Sequence, residues 1–153
     1  MAVNGAGQPG GIEFLQVQTT TDSRAEAMEL VRAAVGARLA AGGQVAGPVA
    51  STFWWNEELE RSEEWFVFLK TTADRYAELA GFIAERHSYD EPEIVAVPIV
   101  AGAAPYLAWL REETQEEIPP AEAEQALPEE AGAEVVPNLP RQVTVEAERS
   151  TPG

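Results

Sequence analysis

The apolar residues between Ile12 and Val100 switch repeatedly between a period of two and a period near 3.6, and the order of those switches leaves few folds open. Ile12 to Thr19 alternates as a strand, with Leu15 and Val17 on one face and Ile12 and Phe14 on the other. Asp22 to Ala41 carries Met28, Val31, Val35 and Leu39 at helical spacing. Ser23 and Glu26 have the spacing of a capping box, with Asp22 as a competing cap, and Gly42-Gly43 offers the stop. Gln44 to Trp55 returns to alternation, with Val49, Ser51, Phe53 and Trp55 on one face. Gly47 and Pro48 inside it predict a bulge or bend near a sheet edge. Asn56 to Ser62 reads as a polar turn, and Glu63 to Thr71 as a third strand that closes a long hairpin.

Thr72 to His87 is a second helix by the stripe Tyr76, Leu79, Ala80 and Ile83. After a turn around Ser88 to Glu91, Glu93 to Val100 alternates as a fourth strand. Its Pro98 denies one ladder donor and so demands an edge or a bulge. Pro105 suits the first turn of a third helix reaching about Glu117, with Tyr106, Trp109 and Leu110 as its apolar set. Strand-helix-strand-strand-helix-strand is the split β-α-β order of a ferredoxin-like α+β domain, here with one added helix. In that fold, helices cover one face of a four-stranded sheet. The other face would carry the hairpin's aromatic and aliphatic groups, and an apolar patch of that kind marks an interface. A homo-oligomer is the expectation.

Three segments follow: a glycine-rich flexible leader over 1–11, the folded domain over 12–117, and a Pro/Ala/Glu-rich acidic tail over 118–153. The tail is too poor in aromatic and large apolar groups to offset its ordering entropy, so disorder is expected there. The net charge is −16, of which the tail holds −5 (seven acids and two bases). Both parts are acidic and repel phosphate backbones and anionic lipid headgroups, so nucleic acid and membranes are poor partners. With no cysteine, disulfides, thiolate metal sites and cysteine nucleophiles are excluded. No signal-peptide pattern opens the chain, no apolar run is long enough to span a bilayer, and a cytoplasmic location is expected.

No triad order, phosphate loop or metalloprotease motif is present. Glu63 and Glu64 point to opposite faces of a strand and cannot act as a pair. The chain is therefore expected to bind rather than to catalyse.

A set of short segments, each weak alone, occurs in one order: Arg38-Leu39-Ala40-Ala41, Ser51 with Trp54-Trp55, Glu63 and Leu69-Lys70-Thr71, His87-Ser88-Tyr89 with Pro92-Glu93, Pro98-Ile99, and Tyr106-Leu107-Ala108-Trp109. Over roughly Phe14 to Leu110 this resembles the divalent-cation tolerance family called CutA. The resemblance implies a ferredoxin-like homotrimer whose long hairpins pair across subunits. It also implies a role in the response to metal ions, copper especially. It further suggests likeness to the trimeric PII sensors, so a small anionic ligand held in inter-subunit clefts is the alternative.

Several family positions differ. A common Cys is Gly42, the Gly-Lys of the hairpin tip is Glu57-Glu58, the His-Pro-Tyr turn is His87-Ser88-Tyr89, and a second His is Arg86. A thiolate or paired-imidazole copper site therefore lacks its best ligands. His87, the only histidine, remains a candidate ligand with oxygens from Asp90 and Glu93, a set that suits Cu(II), Ni(II) or Zn(II) without strong selectivity. It is equally readable as a helix-ending residue bonded to its own turn. Lys70, Glu63, Tyr89 and Trp54 are candidates for an inter-subunit cleft, against a surface ion pair for Lys70 and interface packing for the aromatic residues. No obligatory cofactor is implied; a divalent cation such as Cu(II) is the expected ligand.

Overall fold

The computed structural model describes residues 11–115, so the expected leader over 1–11 and tail over 118–153 lie, but for Gly11, outside the described residues. The elements run β1 (Phe14–Thr21), α1 (Arg24–Gly36), β2 (Gly42–Trp55), β3 (Glu58–Thr72), a 3-10 turn (Ala73–Arg75), α2 (Tyr76–Arg86), β4 (Val95–Pro98) and α3 (Ala104–Glu113). The strands form one antiparallel sheet in the order β2-β3-β1-β4. This is the ferredoxin-like α+β arrangement with one added helix.

The core lies between this sheet and α1 and α2. Val17 of β1, Val67 and Leu69 of β3, and Leu79 and Ile83 of α2 are fully buried. Each contributes about 1.5–3 kcal/mol by leaving water. The buried line of α1 is Ala27, Leu30, Ala33 and Ala34. Val31 and Val35 are only partly buried against it, and Met28 is half-exposed. The expected stripe of large residues is thus rotated toward the alanines, because small side chains let the helix lie close to the strands. Gly43 makes the same approach possible: a Cβ there would stand 2.6 Å from Leu69 Cδ2 and 2.9 Å from Val31 Cγ1.

Helix α1 ends five residues earlier than expected, and Gly42-Gly43 begins β2 instead of stopping the helix. The stop is a Schellman turn. Arg38 takes a left-handed conformation (φ 56°), its N–H bonds Val35 O, and the Leu39 N–H reaches back to Ala34 O. Arg38 is held there by its guanidinium, which donates to Glu113 Oε2 at 2.7 Å and ties α1 to α3. The capping box forms only by half: Ser23 Oγ accepts the Glu26 N–H at 3.1 Å, while the Glu26 carboxylate turns elsewhere.

The hairpin differs most from expectation. The predicted polar turn over 56–62 shrinks to Asn56 and Glu57, both at positive φ, and β3 starts at Glu58. This is the two-residue turn whose twist suits a hairpin. The register of β2 on β3 shifts between Ala46 and Val49, at the Gly47-Pro48 bulge, and β2 is an edge strand. β1 pairs with β3 only over Trp65–Thr72. Glu58 to Glu64 therefore pair with β2 alone, and the arm runs roughly 24 Å beyond the four-stranded part. β4 is shorter than predicted but occupies the other edge, as Pro98 required. Helix α3 starts with Pro105 in its first turn, stops at Glu113 and buries Leu110.

Two outcomes test this account. Leu69→Ala loses about 2–5 kcal/mol of stability in urea unfolding, because it opens a cavity between sheet and helices. Glu57→Gly gains about 0.5–1 kcal/mol in the same measurement, since φ 65° strains any residue with a Cβ.

Candidate functional site

Chain order brings four segments to one end of the sheet: the end of β1, the start of α1, the turn after α2, and β3 where it outruns β1. His87 closes α2, its N–H bonded to Ile83 O at 2.9 Å. Its ring is buried, with Nε2 2.8 Å from Thr20 O and 3.1 Å from Thr19 Oγ1. Nδ1 accepts the Tyr89 N–H at 3.0 Å. A nitrogen that accepts carries no proton, so the ring proton sits on Nε2 and goes to Thr20 O. Glu26 Oε1 lies 3.8 Å from the same Nδ1, but with that nitrogen unprotonated the contact is no ion pair. The Glu26 carboxylate instead takes the Ser88 N–H and Oγ–H, both at 2.9 Å.

Tyr89 continues the chain of contacts. Its hydroxyl donates to Glu64 Oε2 at 3.1 Å, and its ring leans on His87 with centroids 4.8 Å apart. Burial pushes its phenol well above the ordinary value of 10.0. The hydrogen bond to Glu64 and the charges of Glu64, Asp22 and Glu26 push it further the same way. The cluster holds the post-α2 turn against β1 and α1. The Ser88 hydroxyl donates to the Glu26 carboxylate, which also takes the Ser88 N–H, and His87 faces inward to Thr19 and Thr20 and does not reach that hydroxyl.

The other residues predicted for a site are dispersed within one copy. Asp90 and Glu93 are exposed on the loop between His87 and β4, and among the described residues no three His, Asp or Glu side chains converge as a metal requires. Both ring nitrogens of His87 are already engaged. Glu63 is exposed opposite Ala50 on β2; Tyr89 meets its neighbour Glu64 instead. Trp54 sits near the hairpin tip across from Leu59 and is 73% exposed. Lys70 lies six residues along β3 from Glu64, roughly 20 Å away, between Gln16 of β1 and Gly42 of β2. Glu26, Ser88, Thr20 and Glu64 were not proposed from the sequence as site residues. Glu26 carried a capping signature, and no local pattern links it to Ser88, 62 residues later.

Tyr89→Phe removes one buried hydrogen bond and costs about 0.5–1.5 kcal/mol. The wild-type chain, in addition, loses stability as pH rises above 10.0, where the unfolded phenol gives up its proton and the folded one keeps it. Denaturant unfolding at pH 8 to 11 shows that slope in the wild type and a shallower one in Tyr89→Phe.

Residues 15–113 match the family model described as CutA1 divalent ion tolerance protein. The divalent-cation tolerance protein CutA of Thermus thermophilus is 36% identical over 98 residues, which are 64% of this chain and 95% of that one. Human Protein CutA is 31% identical over 107 residues, and the chain spans only 59% of its length, as it does for the rice relative. Among solved structures, the Thermus thermophilus protein superposes with a TM-score of 0.65 at 35% identity, covering 66% of this chain and 98% of that chain. CutA1 of Shewanella sp. SIB1 does so with 0.66 at 30%, covering 68% and 97%. Among the described residues no helix is long and apolar enough to cross a membrane. With its β-α-β-β-α-β order, its long hairpin and its match from residue 15 to 113, the chain belongs to the CutA1 divalent ion tolerance family.

Proposed function

We propose that this chain acts as a cytosolic homotrimer that binds divalent cations, Cu(II) among them, and so contributes to divalent-cation tolerance without turning over a substrate. One observation carries the assembly. The hairpin arm exposes Phe53, Trp54, Trp55 and Leu59 at 39, 73, 53 and 57%, and β4 leaves Val95 and Val97 exposed on the face away from α1 and α2. Phe66 and Phe68 stack on that same face with centroids 5.3 Å apart. An apolar arm beyond the sheet and a free strand edge are costly in a lone copy and complementary between copies.

Membership of a divalent ion tolerance family and the acidic charge of the chain support cation binding. Asp90 and Glu93 supply oxygens on the exposed loop, and in the fold as it stands His87 holds that loop in place rather than ligating. Among the described residues of one copy no three such ligands converge, so we infer that a second copy completes the coordination shell.

Sedimentation of the full chain at micromolar concentration gives a trimer; a stable monomer overturns the assembly. In calorimetric titration with Cu(II), Asp90→Asn with Glu93→Gln weakens binding about fivefold or more, corresponding to roughly 1 kcal/mol. Equal affinity in wild type and variant removes the loop carboxylates from the site. His87→Ala, included beside them, unfolds at lower denaturant because it leaves Thr20 O and the Tyr89 N–H unpaired.

A further inference from the structure

The chain contains a single lysine, Lys70, and its other nine basic residues are all arginine. Four of the ten bases (Arg38, Lys70, Arg75 and Arg111) gather at the end of the sheet away from the hairpin tip. Three of them have carboxylate partners: Arg38 meets Glu113 at 2.7 Å, Arg111 meets Glu13 at 2.7 Å, and Arg75 meets Glu78 at 3.4 Å. Lys70 has no ion pair or side-chain hydrogen bond among the described residues, although it is half-buried. A partly desolvated ammonium without a counter-charge is unfavourable, and burial lowers the Lys70 pKa accordingly.

The surroundings suit an oxyanion. Lys70 projects to the sheet face opposite α1 and α2. Its register neighbour on β1 is Gln16, on the same face, so the two Cβ atoms stand about 5 Å apart. The half-buried Gln16 amide is also unengaged among the described residues. On the other side the partner is Gly42, which has no side chain to fill the space. The indole of Trp109 from α3 lies over Gly42 instead, 3.4 Å from where a Cβ would be, and so forms a wall beside Lys70. An ammonium and an amide side by side, walled by an aromatic ring, can take two oxygens of one group while keeping water scarce.

We propose that this corner, formed by Lys70 and Gln16 beside Trp109, binds a small anion through a phosphate or carboxylate group. The site lies roughly 20 Å along β3 from the His87 cluster and is independent of cation binding by the loop. Because the anion favours the ammonium, binding raises the Lys70 pKa. Affinity is greatest below that pKa and fades as pH rises through it.

The sole lysine allows a direct test. In full-length protein carrying 13Cε-lysine, one side-chain signal reports Lys70. With inorganic phosphate as the probe, its titration midpoint moves to higher pH and saturates. Calorimetry finds the phosphate affinity at least about tenfold weaker in Lys70→Gln, the scale of one charge-assisted hydrogen bond, and weaker also in Gln16→Ala. Thermal unfolding of each variant establishes that it is folded. A midpoint that ignores phosphate overturns the proposal; in particular, a phosphate-free midpoint well above the ordinary lysine value of 10.5 shows that a carboxylate of the tail or of another copy holds the amine. Phosphate affinity unchanged in both variants overturns it as well. Sedimentation on the same samples keeps this outcome separate from any failure of the trimer.

Discussion

The pairing of β1 with β3 is the constraint on which the rest of this structure depends. The two strands lie at the centre of the sheet, and their helix-facing side chains, Val17, Val67 and Leu69, are removed completely from water. They set the surface against which α1 and α2 pack, and β1 also determines where β3 loses its inner neighbour. From Glu58 to Glu64, β3 has only β2 beside it. The projecting arm, the space occupied by Tyr89 and the free edges all follow from β1 being half as long as β3.

Polar groups at the two ends of this central pair behave differently. At the end nearer the arm, the buried histidine is bonded to Thr20 O and the Tyr89 N–H, Glu26 to Ser88, and the Tyr89 phenol to Glu64, so these contacts fix the turn after α2. At the opposite end the arginines are matched to acids and the one lysine, among the described residues, is not. The two ends of the strands thus differ in how far their polar groups are already paired. The candidates that sequence reasoning grouped into one cleft belong to three places: the turn (Tyr89), the arm (Trp54, Glu63) and the far end of the sheet (Lys70). Any shared cleft must be assembled from more than one copy.

The fold was legible in the sequence because amphipathic period is a local property. Each strand and helix announced itself through residues within a few positions of each other, and Gly47-Pro48 and Pro98 located the edges by denying backbone donors. Errors gathered where the decision was not local. The stop of α1 came from Arg38 in a left-handed conformation, stabilised by Glu113 seventy-five residues away, against the nearer glycine pair. The buried stripe of α1 was misjudged because closeness to the sheet favours alanine over larger apolar side chains, which periodicity alone does not weigh.

By itself, then, the sequence determined the order and type of the elements, the edge positions of β2 and β4, the absence of thiolate chemistry and the family to which the chain belongs. Tertiary structure alone decided that Glu26 serves Ser88 rather than its own helix cap, that His87 spends both ring nitrogens internally, and that Lys70, beside Gln16, has no counter-charge among the described residues. The physical reason is distance along the chain. Periodicity and turn chemistry act between near neighbours, whereas charge pairing and desolvation depend on groups brought together from dozens of residues apart.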